Sequence, residues 1–170
     1  TGTDGKTTTT TIIHQILSQA GIKTGMISTL SALIGDKALD TGFHVTTPDA
    51  PEIQSYLAEM VKEDMSHCIL ETTSHGLAQS RATACDFDLA VVTNVTHEHL
   101  DYHGTYQNYL AAKGLLFSGL EHTTQKRMGN LRKAVLNKDD QSYEYLKRIS
   151  PVGQISYSAV NEADLWADSI

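Results

Sequence analysis

The sequence predicts an α/β fold in which a mostly parallel sheet is flanked by helices, of the P-loop nucleotide-binding type, and three observations favour this class. Short apolar segments alternate along the chain with segments whose apolar residues recur at helical spacing. A glycine-rich turn, Gly2-x-x-Gly5-Lys6-Thr7, stands directly before the first of those helices. Polar residues follow several apolar segments where each segment ends. Ligands bind at that edge of a parallel sheet, so a candidate site is expected there.

The first helix is predicted directly after the glycine-rich turn. Its apolar residues recur three and four positions apart, and Gly21 follows as a stop signal. These apolar positions are Ile12, Ile13, Ile16, Leu17 and Ala20. A short strand is expected at 24–30, and a loop around Gly35 follows it.

A second helix is predicted from the proline pair Pro48 and Pro51, which suits a first helical turn capped by Thr47 or Asp49. Its buried face is expected to consist of Ile53, Leu57, Met60 and Val61. Further strands are predicted at 67–72, 88–94, 134–137 and 154–157, and further helices at 106–117 and 141–149. Residues 163–170 have the pattern of another strand, so we expect the chain to be a piece of a longer one.

The composition is that of an ordinary globular domain, with 170 residues of which 40% are hydrophobic and 19% are charged. The net charge of -7 argues against a general binder of nucleic acid or of anionic membranes. No apolar run approaches the ~20 residues of a membrane span, so membrane insertion is not expected. The spacing of Cys68 and Cys85 indicates reduced thiols in a cytoplasmic protein.

The turn from Gly2 to Thr7 has the pattern of the second half of a phosphate-binding loop. Glycines let backbone N–H groups approach phosphate oxygens, the lysine neutralises them, and the threonine hydroxyl can reach Mg²⁺. The helix that follows adds the positive end of its dipole. An ordinary glycine-rich turn is the alternative, and the helix directly after the loop argues against it.

Three histidines and two carboxylates lie within Thr96–Gly104, a density that is rarely structural. The zinc-peptidase pattern is excluded because Asp101 stands where a second histidine is needed. One remaining possibility is an oxygen-rich Mg²⁺ site built with Glu71, Thr7 and one imidazole. The other is that some of these histidines cap the strand or face solvent.

The segment Glu71–Leu77 places a serine next to a histidine at the end of a predicted strand. A serine nucleophile is disfavoured because the segment has no Gly-x-Ser-x-Gly elbow. The carboxylate of Glu71 is better explained as a metal ligand beside a phosphate loop.

Six ordered motifs between Thr1 and about Tyr157 resemble the central ATP-binding domain of the Mur ligase family. The motifs are Thr1–Thr8, Thr46-Thr47-Pro48, Glu71–Leu77, Thr93-Asn94 with His99–Gly104, Tyr109-x-x-Ala112-Lys113-x-x-Leu116-Phe117, and Asn137-x-Asp139-Asp140. The third and fourth motifs are most similar to the branch of the family that adds the third residue of the peptidoglycan stem peptide.

The resemblance implies an ATP-dependent amide ligase that requires Mg²⁺. In this branch of the family the D-glutamate side-chain carboxylate of UDP-MurNAc-L-Ala-D-Glu attacks the γ-phosphate of ATP. The amine of a diamino acid then displaces phosphate from the acyl phosphate. The resemblance also implies that residues 1–170 form part of the central domain, with N-terminal UDP-binding and C-terminal amino-acid-binding domains outside this chain. The incoming amine, meso-diaminopimelate or lysine, stays open.

The resemblance assigns site residues by position. The catalytic positions are Lys6, Glu71, His99 and Lys113. The ATP positions are Gly2, Thr3, Asp4, Gly5, Lys6, Thr7, Thr8 and Asn137. The Mg²⁺ ligands are Thr7, Glu71, His99 and Lys113, the last as a carbamate. The positions for the UDP-sugar peptide are Thr46, Thr47, Ser74, Gln79 and Arg81.

The chain departs from the family pattern at three places. Asp4 stands where asparagine is usual, and His97-Glu98 replaces the usual Arg-Asp pair. Thr73 replaces a serine and keeps the hydroxyl. A monomer that binds neither nucleic acid nor membrane is expected. The alternatives are a ligase resembling folylpolyglutamate synthetase, and a nucleotide-binding module that regulates without catalysis.

Overall fold

The computed structural model describes residues 1–41, 46–126, 129 and 131–167. The chain divides into two compact units. Unit I is Gly5–Ala84, and unit II combines Thr1–Asp4 with Cys85–Ile170. Unit II is therefore discontinuous in sequence, because unit I is inserted between its two segments.

Unit I contains a four-stranded sheet in the order β3-β2-β1-β4. The strands are β1 (Thr24–Ile27), β2 (Ala32–Ile34), β3 (Lys37–Leu39) and β4 (His67–Leu70). Strand β1 is buried throughout and is parallel to β4, whereas β2 is antiparallel to both β1 and β3. The prediction of a loop around Gly35 is wrong: Gly35, with φ 59°, lies in the turn of a β2–β3 hairpin.

The helices of unit I are α1 (Lys6–Gln19), α2 (Ala50–Lys62) and α3 (Ser74–Ala78). Helix α1 ends just before Gly21, whose φ of 78° confirms the predicted stop. Helix α2 starts after Asp49 and buries Ile53 and Met60 as predicted. Val61 is 75% exposed, so its predicted burial is wrong. It follows Ile53 by eight residues, which turns its side chain about 80° away around the helix.

Unit II contains a second four-stranded sheet, in the order β5-β6-β7-β8, and every strand pair in it is parallel. The strands are β5 (Leu89–Val91), β6 (Lys133–Asn137), β7 (Gly153–Ser158) and β8 (Leu165–Trp166). The helices are α4 (Leu100–His103), α5 (Tyr106–Ser118) and α6 (Tyr143–Ile149), and a 3-10 turn covers Gly119–His122. The Thr105 side chain caps α5 by accepting a bond from the Asn108 amide.

The predicted α/β class is confirmed, and parallel pairs prevail, but the strands form two sheets rather than one. The predicted strands at 67–72, 88–94, 134–137 and 154–157 are present, with ends that differ by one to three residues. Of the last predicted strand, residues 165–166 form β8, and residues 168–170 lie outside the described part. Within the described residues, no helix is both long and apolar enough to cross a membrane.

Candidate functional site

The second half of the glycine-rich loop forms the start of α1 in unit I. Gly5 precedes the helix with φ 74°, a left-handed conformation that glycine adopts without a steric penalty. The amide of Thr9 makes the first helical bond, to the Gly5 carbonyl, at 2.9 Å. No side chain caps this end of the helix, and its first turn carries no acidic residue. The amides of the first turn, together with the helix dipole, therefore suit an anion such as phosphate.

Glu71 stands one residue after β4 with its side chain only 2% exposed. Its carboxylate accepts bonds from the Thr7 hydroxyl, which lies 3.0 Å from each oxygen. Oε2 also accepts from the amide and the hydroxyl of Thr29, both at 3.1 Å. Within the described residues, no lysine, arginine or histidine pairs with this carboxylate.

A buried carboxylate that is satisfied only by neutral donors retains a net negative charge in a poorly solvated place. A cation would stabilise it, and the donor set of a carboxylate and a hydroxyl is one that Mg²⁺ prefers. Thr7 and Glu71, which the sequence predicts as metal ligands, are thus brought together. Among the described residues, here as elsewhere, no group of three or more His, Cys, Asp or Glu side chains is arranged to hold a metal.

Thr29 is absent from the residues that the sequence predicts for this site. It lies two residues beyond the end of β1, next to the position where parallel β4 ends. Polar residues that follow parallel strands often line a site, and this rule identifies Thr29 once β1 is known to end at Ile27. The sequence prediction extends this strand to residue 30 and therefore places Thr29 inside it.

The residues predicted for the UDP-sugar peptide lie in unit I with very different exposures. Thr47 and Ser74 are each 1% exposed, Thr46 is half-buried, and Gln79 is exposed. Arg81 donates to the Thr47 carbonyl at 2.7 Å and lies 3.3 Å from the Asp49 carboxylate. The structure therefore connects Arg81 with the segment around Thr47.

The first half of the glycine-rich loop belongs to unit II, where it runs beside the chain that follows β5. The Thr3 amide donates to the Asn94 carbonyl at 2.8 Å, and the Asp4 amide donates to Asn94 Oδ1 at 2.9 Å. Gly2 lies so close to Thr93 that an added Cβ would stand 1.8 Å from Thr93 Oγ1. Only glycine fits at this position.

Helix α5 holds the same segment through Tyr109 and Lys113, which lie one helical turn apart. Lys113 is 1% exposed, and its amine donates to the Gly2 carbonyl at 2.6 Å and lies 4.6 Å from the centre of the Tyr109 ring. The Tyr109 hydroxyl lies 3.0 Å from Thr3 Oγ1. Burial raises the pKa of Tyr109, and the bond with Thr3 opposes that rise.

The histidines of the Thr96–Gly104 segment occupy different environments in unit II. His99 directly precedes α4 and has φ 53°, a conformation that is uncommon for a residue with a side chain. About half of its side chain is exposed. The His99 and Tyr109 rings are 6.0 Å apart. His97 stacks on Tyr106 at 4.8 Å, and His103 is buried beside Tyr109.

Two of the predicted polar strand-end clusters meet in unit II. Asn137 Nδ2 donates to the Thr93 carbonyl at 2.7 Å, and the Val95 amide donates to the Asp140 carboxylate at 3.0 Å. Asn137 Oδ1 accepts from the Asp139 amide at 3.0 Å. Much of the hydrogen-bonding capacity of Asn137 is therefore used in joining these clusters.

The chain is similar to several known proteins. The family model described as the Mur ligase middle domain matches residues 1–170. The chain is 41% identical over 170 residues to the UDP-N-acetylmuramoyl-L-alanyl-D-glutamate--2,6-diaminopimelate ligase of Geobacillus kaustophilus. It is also 41% identical to UDP-N-acetylmuramyl-tripeptide synthetase 2 of Oceanobacillus iheyensis. All of this chain is aligned in both cases, and it spans about a third (34%) of the length of each relative.

A solved structure gives the same result. The chain superposes with a TM-score of 0.82 on a structure of UDP-N-acetylmuramoyl-L-alanyl-D-glutamate--2,6-diaminopimelate ligase, at 30% sequence identity. The match covers 97% of this chain and 32% of the other.

Proposed function

This chain belongs to the Mur ligase middle-domain family, and we propose that it is the nucleotide-binding part of an ATP-dependent amide ligase. The proposed ligase acts in peptidoglycan precursor synthesis. The observation that carries the proposal is the pair Thr7 and Glu71. A hydroxyl in the first turn of α1 bonds a buried carboxylate that has no cationic partner among the described residues. A hydroxyl and a carboxylate placed together in this way suit a nucleotide that is bound with Mg²⁺.

The proposed substrates are ATP, UDP-MurNAc-L-Ala-D-Glu and a diamino acid. A side-chain carboxylate oxygen of the D-glutamate attacks the γ-phosphorus, the bond to the bridging oxygen breaks, and ADP leaves. The amine then attacks the acyl carbon, phosphate leaves, and the amine gives up a proton to complete the amide. The Geobacillus relative is named for 2,6-diaminopimelate, which is therefore the first amine to test.

The first step brings the carboxylate and the γ-phosphate, both negatively charged, together. Residues of the chain offset these charges. Gly5, Lys6, Thr7 and Thr8 hold the β- and γ-phosphates through backbone amides and the lysine cation, with Gly2, Thr3 and Asp4 preceding them. Thr7, Glu71, His99 and a carbamylated Lys113 would hold Mg²⁺, which supplies charge neutralisation on the phosphates. Asn137 contacts the adenine. Five residues orient the sugar peptide: Thr46, Thr47, Ser74, Gln79 and Arg81.

The proposal extends to the whole protein. Since the chain spans about a third of its relatives, we infer that separate N-terminal and C-terminal domains bind the uridine and the amine. The enzyme would act in the cytoplasm as a monomer, on soluble precursors rather than on nucleic acid or membrane.

The test measures phosphate release by the full-length protein with ATP and Mg²⁺. Release is expected to depend on UDP-MurNAc-L-Ala-D-Glu, and amide product is expected only when the diamino acid is added. Release that instead requires a folate and glutamate would identify a ligase resembling folylpolyglutamate synthetase, and nucleotide binding without any release would identify a regulatory module.

A matched pair of lysine variants isolates the phosphate loop. Lys6→Ala is expected to abolish ATP binding in calorimetry while the circular dichroism spectrum stays the same. Lys62→Ala is the control, because Lys62 is an exposed lysine at the end of α2. Unchanged ATP affinity in Lys6→Ala would contradict the assignment of the loop.

A further inference from the structure

The hydroxyl of Thr47 is enclosed by polar groups of the segment that follows β4. It lies 3.2 Å from the Glu71 carbonyl oxygen, 2.9 Å from the Thr73 amide and 3.1 Å from the Thr73 hydroxyl. Thr47 is 1% exposed. Its hydroxyl therefore bridges the backbone on both sides of Thr72.

The directions of these bonds follow from what each group can donate. A carbonyl only accepts, so the single hydroxyl hydrogen of Thr47 goes to Glu71. The two lone pairs of Thr47 then accept from the Thr73 amide and the Thr73 hydroxyl. Thr73 Oγ1 in turn accepts from the Gly76 amide at 3.0 Å. Every hydrogen-bonding position of the Thr47 hydroxyl is thus occupied within the protein, and none remains for a ligand.

The backbone and methyl group of Thr47 are fixed as well. Arg81 donates to its carbonyl at 2.7 Å, and the same guanidinium lies 3.3 Å from Asp49. A Cβ at Gly76 would stand only 2.7 to 2.9 Å from the Cβ, Cγ2 and Oγ1 atoms of Thr47. The threonine side chain thus fills the space that the absent side chain of Gly76 leaves open.

We propose that the Thr47 hydroxyl is a positioning group for Glu71. The carboxylate of Glu71 is held by Thr7 and Thr29, and its backbone carbonyl is held by Thr47. The two sets of bonds fix the residue at both ends. The proposal rests on the proposed role of Glu71 as a Mg²⁺ ligand, and it gives the hydroxyls of Thr46 and Thr47, adjacent in sequence, different tasks.

The test compares Thr47→Val, Thr47→Ser and Thr46→Val in the full-length enzyme. Thr47→Val keeps the side-chain shape and is expected to raise the Mg²⁺ concentration for half-maximal activity about 10-fold, the size of effect that follows loss of a residue supporting a metal ligand. Thr47→Ser retains the hydroxyl and is expected to restore most of the Mg²⁺ affinity. Thr46→Val is expected to raise the KM for the sugar peptide about threefold or more and to leave the Mg²⁺ requirement unchanged.

A second measurement needs neither metal nor activity. Amide hydrogen exchange at Thr73 is expected to accelerate in Thr47→Val, because that amide loses its acceptor, and to stay slow in Thr47→Ser and Thr46→Val. A raised sugar-peptide KM in Thr47→Val, with an unchanged Mg²⁺ requirement and unchanged exchange at Thr73, would overturn the proposal. A wild-type enzyme with no Mg²⁺-dependent ligase activity would contradict the proposed function instead, while the exchange measurement would still report on the positioning contacts.

Discussion

Lys113 donates a hydrogen bond of 2.6 Å to the carbonyl of Gly2, a residue 111 positions away in the chain. The amine that the family resemblance marks for carbamylation is therefore held against the first half of the phosphate loop. A carbamate nitrogen retains one hydrogen, so this bond can persist after CO₂ has added. Only the neutral form of a lysine amine reacts with CO₂ to give the carbamate.

Lys113→Ala in the full-length enzyme is expected to lose nearly all ligase activity, because the carbamate ligand and the contact to Gly2 both disappear. Short-chain carboxylates such as acetate are expected to restore part of the activity by occupying the vacated position. Lys147→Ala is the control, since Lys147 also lies over a tyrosine ring, that of Tyr143, but is exposed. Full activity of Lys113→Ala without added carboxylate would remove the carbamate from the mechanism.

Gly2→Ala is expected to weaken ATP binding and to destabilise the fold by about 1–3 kcal/mol, the usual cost of overpacking. The added Cβ would stand 1.8 Å from Thr93 Oγ1, and the φ of 152° also disfavours a side chain. The double variant with Thr93→Ala removes the closest atom and is expected to regain part of the loss. Thermal unfolding and calorimetry measure both effects. Gly119→Ala, where a new Cβ meets nothing within 4 Å, should behave as wild type.

Asp4→Asn is expected to raise ATP affinity about two- to fivefold, because it removes an exposed negative charge from the phosphate loop. The backbone bonds of this residue to Asn94 do not involve its side chain and should be preserved. The gain should shrink at high ionic strength, where salt screens the repulsion. Asp36→Asn, on the β2–β3 turn, is the matched control, and an equal gain there would indicate a general charge effect.

The turn that follows β7 is expected to loosen in acid because of Asp139. Hydrogen bonds from the Ser158 hydroxyl and the Ala159 amide hold the pKa of Asp139 below its ordinary value of 3.8. The folded-state pKa of Asp139 is thus lower than its unfolded-state pKa. These hydrogen bonds therefore stabilise the turn fully above the unfolded-state pKa, and the stabilisation is lost as the pH falls through the folded-state pKa. The protection factor of the Ala159 amide, which is its intrinsic exchange rate divided by its observed rate, should therefore fall as the pH is lowered from 5 to 2. In Asp139→Asn this protection factor should be low at all of these pH values.

Periodicity predicted most helices and strands of this chain, but it could not predict how the strands pair. Helix α1 could be located because its apolar spacing and Gly21 agree, and both signals are local. Strands β2 and β3 have three residues each, too few to show an alternating pattern. The division into two sheets depends on pairings such as β1 with β4, which join residues more than 40 positions apart.

The same limit applies to the candidate site. Thr7 and Glu71 could be predicted together because a phosphate loop and a strand-end carboxylate each have a recognisable pattern. The internal role of the Thr47 hydroxyl could not be predicted, because it depends on the carbonyl of Glu71 and the amide of Thr73, which every sequence contains. Side-chain identity indicates what a residue can bind, whereas only the structure shows whether that capacity is already used.

The discontinuity of unit II bears on the order in which the chain can fold during synthesis. Asp4 bonds to Asn94, 90 positions later, so the first four residues leave the ribosome long before their partners exist. At 5–20 residues per second this delay is roughly 5 to 18 seconds. All residues of unit I have emerged once residue 84 has been made, ten residues and roughly 0.5 to 2 seconds before Asn94. A nascent chain that stalls in that window would hold every residue of unit I, but the first half of its phosphate loop would still lack Asn94.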